Sequence, residues 1–244
     1  MSLGAALKAL LGDLAGLFDD EGTRVWFLLG CGTVLQVAFW YLATPGPTLL
    51  AFAPRSLPTA TVGITWTVVT LLAVPALIFT ATGGTLRQMR LSRGDARAGW
   101  ALVAVSALVA VPVVALASGS APALATAYPW AGDEVGRSVP SLLGWAALYA
   151  LYYLSFEAFY RGYLLGALEG RFGTAGAVWL QAFAATMVHL GKPLPETLAA
   201  LPASLLFGVM AVRTRSVVYP ALTHLVIGLT LDVVVLARAG ALFP

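Results

Sequence analysis

Five ionisable side chains lie inside apolar stretches with no loop to explain them: Glu157, Arg161, His189, His224 and Asp232. They stand out against 14 Lys and Arg, 11 Asp and Glu and two His in the whole chain, so both histidines are in the set. An ionisable group at membrane depth costs about 2.5–3.5 kcal/mol for Asp, Lys or Arg at a helix centre, and it therefore needs a partner or a water-filled cavity. A carboxylate with imidazoles in a low-dielectric cavity suits general-base activation of water, with imidazole orienting or relaying the proton. Amide hydrolysis is the natural use. Two histidines and a glutamate also make a zinc set with an open position, so Glu157, His189 and His224 as metal ligands are the alternative. The chain has no Gly-x-Ser-x-Gly elbow, no His-Glu-x-x-His and no embedded Cys/His pair at recognisable spacing, which argues against other hydrolase types.

The elements that must hold these groups follow from composition. Of 244 residues, 59% are hydrophobic and only 10% charged, against roughly 25% charged in a soluble domain. The mean hydropathy is +0.87. That excludes a water-soluble globule, and the apolar content excludes a disordered chain. The single cysteine, Cys31, sits in an apolar run and reads as buried and inert. A net charge of +3 reflects basic loops on one membrane face rather than a nucleic-acid partner. Runs near the roughly 20 residues that cross a bilayer core occur at about 25–43, 59–82, 98–118, 140–165, 174–190, 196–212 and 216–237. The expectation is an all-α polytopic membrane bundle of about seven transmembrane helices, a single membrane domain over 1–244. The sixth run is short and carries Pro202, which marks it as a kinked or partly inserted helix. Leu3, Leu7, Leu10, Leu11, Leu14 and Phe18 recur at helical spacing, so residues 1–22 read as a retained amphipathic interfacial helix.

Arginines set the orientation. Arg87, Arg90, Arg93 and Arg97 fall between the second and third runs, and the positive-inside rule makes that loop cytoplasmic. Lys8, Arg24, Arg171, Arg213 and Arg215 then share the inner side, while Arg55, Arg137, Lys192 and Arg238 lie outside. The N-terminus is expected inside and the C-terminus outside, in a membrane of the bacterial inner type. Trp26, Trp40, Trp100, Trp130, Trp145 and Trp179 are assigned to interfacial belts or lipid-facing packing. At 1.5 Å rise per residue Glu157, His189 and His224 lie about 13, 21 and 13 Å from the inner surface, close enough in level to line one cavity. Glu157 and Arg161, four apart, share a helix face as an ion pair. His224 and Asp232, eight apart, share another, but about 12 Å of rise requires something to bridge them. Each residue also has a structural reading: an intramembrane salt bridge for Glu157 with Arg161, a helix-end hydrogen bond for His189, and snorkelling or a structural bond for Asp232.

At these residues the chain resembles the CAAX-protease and bacteriocin-processing (CPBP, or Abi) family of intramembrane proteases. That family carries Glu-Glu-x-x-x-Arg on one span, Phe-x-x-x-His on the next and His-x-x-x-Asn on a later one. The counterparts here are Phe156-Glu157-Ala158-Phe159-Tyr160-Arg161, then Ala185-Thr186-Met187-Val188-His189, then His224-Leu225-Val226-Ile227-Gly228. The resemblance covers about residues 140–237 and implies a catalytic core there. Three positions depart from it: Phe156 replaces the first glutamate, the one usually assigned catalysis, Ala185 replaces the phenylalanine, and Gly228 replaces the asparagine. The run His189-Leu190-Gly191-Lys192-Pro193-Leu194-Pro195-Glu196 is similar to a subgroup with this single-glutamate form. The resemblance implies an intramembrane endopeptidase in which Glu157 deprotonates water with His189, and His224 polarises the scissile carbonyl. Arg161, Gly228 and Asp232 are the supporting positions.

Its partners would be membrane lipids and a membrane-associated peptide or protein substrate, with no nucleic acid. No cofactor is implied for a glutamate-type enzyme, and zinc is the alternative. Two other classes stay open: a non-catalytic scaffold or immunity-type protein with the same fold, and a proton-coupled carrier. The carrier is disfavoured because no second embedded acid lies near Glu157 and no inverted repeat is visible.

Overall fold

The computed structural model describes residues 3–16, 22–43 and 56–244. The described chain is helical: α1 (Leu3–Gly16), α2 (Thr23–Ala43), α3 (Leu57–Val68), α4 (Val74–Ala81), α5 (Ala96–Ser120), α6 (Pro122–Ala127), α7 (Val139–Glu157), α8 (Leu165–Met187), α9 (Leu194–Thr214) and α10 (Val218–Arg238). α3 and α4 run on through a π-helical turn, Val69–Ala73, and α7 and α8 through a second one, Ala158–Leu164. Side chains start several of these helices. Ser56, Asp95 and Ser138 accept backbone N–H bonds at the first turns of α3, α5 and α7, satisfying donors that have no partner within the helix.

Among the described residues six helical stretches are long and apolar enough to cross a membrane: Thr23–Ala43, Leu57–Ala81, Ala96–Ser120, Val139–Met187, Leu194–Thr214 and Val218–Arg238. The chain is an integral membrane protein. The fourth stretch has 49 residues, about 73 Å if straight, more than twice a bilayer core. It is not straight. Gly173 sits at φ 66, ψ 169, a backbone conformation open to glycine, and the chain doubles back there. Phe156 and His189, 33 residues apart, consequently meet with ring centroids at 6.0 Å. Ala177, Val178 and Ala185 on the return leg share one core with Phe159, Tyr160 and Tyr163 on the outward leg. The hairpin contributes two legs, so the described residues supply seven apolar legs where about seven were expected. Its turn lies eight residues beyond the expected end of the fourth span.

The sixth run is a 21-residue helix, α9, long enough to cross despite Pro202. It is tied to the return leg by Gln181, whose Nε2 donates to Ser204 O at 3.1 Å. Gly208 allows that approach, since a Cβ there would meet Gln181 Nε2 at 2.7 Å. On the other side of the hairpin, Tyr163 Oη donates to Leu28 O of α2 at 2.7 Å. α5 and α10 run side by side in one direction, with Gly99 against the Tyr219 ring and Gly119 against the Arg238 guanidinium.

The two ends of the bundle differ in charge. Arg24, Arg87, Arg90, Arg171, Arg213 and Arg215 gather at one end, where Val217 N–H donates to Arg90 O and Asp95 N–H to Thr214 O. Arg137, Lys192 and Arg238 border loops at the other, where Phe243 N–H donates to Gly136 O. Arg55, Phe18 and the Pro45–Pro47 break lie outside the described residues, as do the side chains of the leucines expected to form the apolar face of α1. The helix itself is present over Leu3–Gly16.

Three expectations are corrected. Trp130 and Trp145 are not interfacial: both are buried in a core with Tyr149 and Tyr153, because their flat rings fill the space between α3, α7 and α10. Trp26, Trp100 and Trp179 are exposed as expected. Cys31 is only partly buried, since it lies on the rim of α2 rather than on its packed face. Of the two readings of Asp232 the snorkelling one fails and the structural bond holds: it is fully buried and accepts a hydrogen bond from Trp145.

Candidate active site

Glu157 ends α7 and Arg161 lies in the π-helical turn that follows. A π turn spaces its residues differently from the α-helix on either side, and such turns are common at functional sites. Glu157 is 0% exposed and Arg161 1%. Arg161 Nε stands 3.0 Å from Glu157 Oε2, close enough for strong charge attraction but off the line of a hydrogen bond. The other carboxylate oxygen, Oε1, is 2.8 Å from His224 Nδ1.

That contact fixes the imidazole. An ion-paired carboxylate only accepts, so His224 Nδ1 carries the proton and Nε2 is left as the acceptor. The ring is clamped by Tyr153, stacked at 4.0 Å, with Phe156 at 5.6 Å and Phe207 at 5.4 Å. His189 is set in the same way from another element. It lies in the turn after α8, and its Nδ1 is 2.7 Å from Ala185 O. A carbonyl accepts only, so Nδ1–H donates and Nε2 is again free to accept.

Both imidazoles line one cavity of about 420 Å³, together with Arg161, Phe156, Tyr153 and Glu196. Most of the rest of its wall is apolar, including Val113, Leu124, Phe207, Ile227 and Leu231. Glu157 does not line it; it stands behind His224. Arg161 Nη1 is buried with no hydrogen-bond partner among the described residues, and its guanidinium carbon lies 5.5 Å from the Phe207 ring and 6.0 Å from the Phe156 ring. An unsatisfied buried donor beside a cavity is a group placed to receive an oxygen from whatever enters.

Gly228 lines the cavity too, and a Cβ at this position would collide with the Tyr153 hydroxyl. The phenol thus fills the space over residue 228 while stacking on His224. Asp232 is elsewhere: its Oδ2 accepts from Trp145 Nε1 at 2.8 Å, and it is absent from the cavity wall. No bridge from Asp232 to His224 exists among the described hydrogen bonds.

The zinc alternative does not fit these residues. Nε2 of both imidazoles is free to ligate, but the third member of the set is taken: the Glu157 carboxylate faces Arg161 and holds His224 Nδ1, and it does not line the cavity with the two rings. Among the described residues no group of three or more His, Cys, Asp or Glu side chains is arranged to hold a metal ion.

One cluster escaped sequence reasoning. Glu196, on the cavity wall, accepts from Lys192 Nζ and from Tyr128 Oη, each at 2.7 Å. Glu196 opens the run 196–212, where a charge needs no partner at membrane depth. The i,i+4 spacing of Lys192 and Glu196 around Pro193 and Pro195 was the available signal. Burial and the nearby Glu196 carboxylate push the Tyr128 hydroxyl well above its usual range. Burial opposes the charge on Lys192, but Glu196 outweighs it and raises the ammonium.

Residues 135–230 match the family model described as Rce1-like, type II CAAX prenyl endopeptidase. That stretch contains the named residues of the site except Val113, Leu124, Tyr128 and Leu231 of the cavity wall. The resemblance to CPBP intramembrane proteases read from the three motifs holds over the same region. No curated protein and no solved structure matches the chain.

Proposed function

We propose that the protein is an intramembrane endopeptidase that hydrolyses a peptide bond of a membrane-associated polypeptide. The observation that carries this is His224: its Nδ1 is held by the buried Glu157 carboxylate, and the ring borders a cavity shared with His189 and Arg161. Water in the cavity gives a proton to His224 Nε2 as it attacks the scissile carbonyl. Glu157 fixes the tautomer and stabilises the imidazolium that forms, the task of the carboxylate in hydrolytic triads. Arg161 Nη1 donates to the developing oxyanion, and His189 Nε2 accepts the second hydrogen of the water and orients it. The imidazolium then returns its proton to the leaving amine.

This assignment divides the work differently from the motif reading, in which Glu157 meets water directly. In the structure the carboxylate is one residue behind the group that faces the cavity, while Phe156, standing where the family has its first glutamate, packs between the two histidines' rings. The family description makes a prenylated C-terminal peptide the first substrate to try, and the largely apolar cavity suits a lipidated chain. With the arginine-rich end on the cytoplasmic side, the cavity end at Glu196 faces outward. Purified protein incubated with prenylated and with unmodified membrane-anchored peptides should cleave one of them, and His224→Ala should abolish that cleavage. Equal rates in wild type and His224→Ala overturn the proposal.

A non-catalytic peptide-binding scaffold is the second reading, and one observation favours it: Glu157 is fully buried between Arg161 and His224, as a purely structural ion pair would be. It predicts that the variant lacking the imidazole still binds, and that wild type never cleaves.

A further inference from the structure

At the arginine-rich end a second concavity, of about 1050 Å³, lies between the start of α2, the loop joining α4 to α5, the bend of the hairpin and the end of α9. Six arginines line it: Arg24, Arg87, Arg90, Arg171, Arg213 and Arg215, with Asp95 and Glu169 as its carboxylates. Glu169 is taken by Arg90 at 2.6 Å and Asp95 by Arg213 at 3.5 Å. Arg24, Arg87, Arg171 and Arg215 have no ion pair among the described residues. Arg24 is partly ordered by its own neighbours: Nε donates to Thr82 O at 2.8 Å and the guanidinium lies over the Phe79 ring. Its Nη2 is nevertheless buried with no hydrogen-bond partner among the described residues.

Like charges collected in a concavity focus the field and concentrate a counter-ion there. The rim shows which kind. Trp26 and Phe172, adjacent in sequence to Val25 and Arg171 of the wall, pack edge to face at 6.4 Å and are 52% and 39% exposed. Exposed aromatic rings at the ends of membrane helices sit at headgroup level, so the cleft opens where lipid phosphates lie. A positive-inside bias alone needs arginines on this face, not in a cleft; Arg93 and Arg97 are at the same end, exposed, and outside it.

We infer that this cleft binds the phosphate of an anionic phospholipid, with the acyl chains leaving over the Trp26–Phe172 rim. Basic pockets between membrane helices recognise anionic headgroups through such guanidinium contacts. The site is independent of the proteolytic cavity, and its test does not depend on cleavage.

The test is native mass spectrometry of the detergent-purified full chain titrated with phosphatidylglycerol or phosphatidylcholine. Phosphatidylglycerol should bind at least about tenfold more tightly, and Arg87→Gln/Arg171→Gln should weaken it by about 25-fold, or about fivefold per arginine. Both side chains are exposed and without ion pairs, so circular dichroism should be unchanged; each single variant serves if the double loses helicity. Arg93→Gln/Arg97→Gln removes the same charge from the same face outside the cleft and should cost less than about threefold. Equal losses in the two double variants would mean general surface attraction and overturn the site. So would no preference for phosphatidylglycerol. Displacement of bound lipid by millimolar glycerol phosphate or inorganic phosphate would make it a site for soluble anions and overturn the lipid assignment.

Discussion

Replacing Glu157 by glutamine keeps the size of the side chain and removes one charge. In the structure that charge faces Arg161 Nε at 3.0 Å and His224 Nδ1 at 2.8 Å, with the first two groups buried to within 1%. The substitution leaves the Arg161 guanidinium as an uncompensated buried cation, which typically costs about 3–5 kcal/mol when one partner of a buried pair is removed. The amide oxygen still accepts from His224 Nδ1, so the ring keeps its place. What it loses is the anion that stabilises imidazolium, a loss worth about 10⁴ in kcat where the corresponding carboxylate of a hydrolytic triad has been neutralised. Stability and activity therefore separate in the double variant. Glu157→Gln/Arg161→Met has no buried cation and should recover at least half of the lost stability while remaining inactive, a coupling that the double-mutant cycle isolates. The assay pairs unfolding in mixed micelles with cleavage of a membrane-anchored peptide at equal folded fraction. A Glu157→Gln protein as stable as wild type to within about 1 kcal/mol would refute the buried pair. One that cleaves at the wild-type rate would refute its role in catalysis.

His189→Ala gives up a single bond to Ala185 O, so it should destabilise by only about 1 kcal/mol yet lower kcat about 10²–10⁴-fold, read by the same two measurements. Gly228→Asn forces the Tyr153 phenol off His224 and should cost about 1–3 kcal/mol through overpacking; Tyr153→Ala in the same chain should restore most of it, and failure to do so shows that the collision is not the cause. Asp232→Asn keeps an acceptor for Trp145 Nε1 and leaves cleavage within about twofold, whereas Asp232→Leu strands the indole N–H at a cost of about 1–3 kcal/mol. Tyr128 and Lys192 both hold their protons more tightly folded than unfolded. Their contribution is complete below the unfolded values near pH 10 and is lost as pH rises past them, so unfolding followed from pH 8 to 11 should show alkaline destabilisation that Tyr128→Phe reduces.

The three motif positions were legible because an apolar chain makes each embedded charge conspicuous, and helical spacing alone pairs Glu157 with Arg161. The arginine distribution likewise separates the two ends of the bundle before any coordinates are seen. Trp145 was misread, and Asp232 left open between snorkelling and a structural bond, for a common reason: neither an indole nor a carboxylate announces a partner 87 positions away along the chain. Glu196 was overlooked because a charge at a span boundary has an ordinary explanation in water.

What the sequence by itself determined is a membrane bundle with a glutamate, an arginine and two histidines at membrane depth, since hydropathy and residue type depend only on local order along the chain. Which of these groups faces the cavity was decided by the tertiary structure. The reversal at Gly173 brings His189 beside Phe156, and the packing of α10 on α7 sets His224 between Glu157 and the cavity. Those are contacts across 33 and 67 residues, and no spacing rule along one helix specifies which of two adjacent polar groups stands in front.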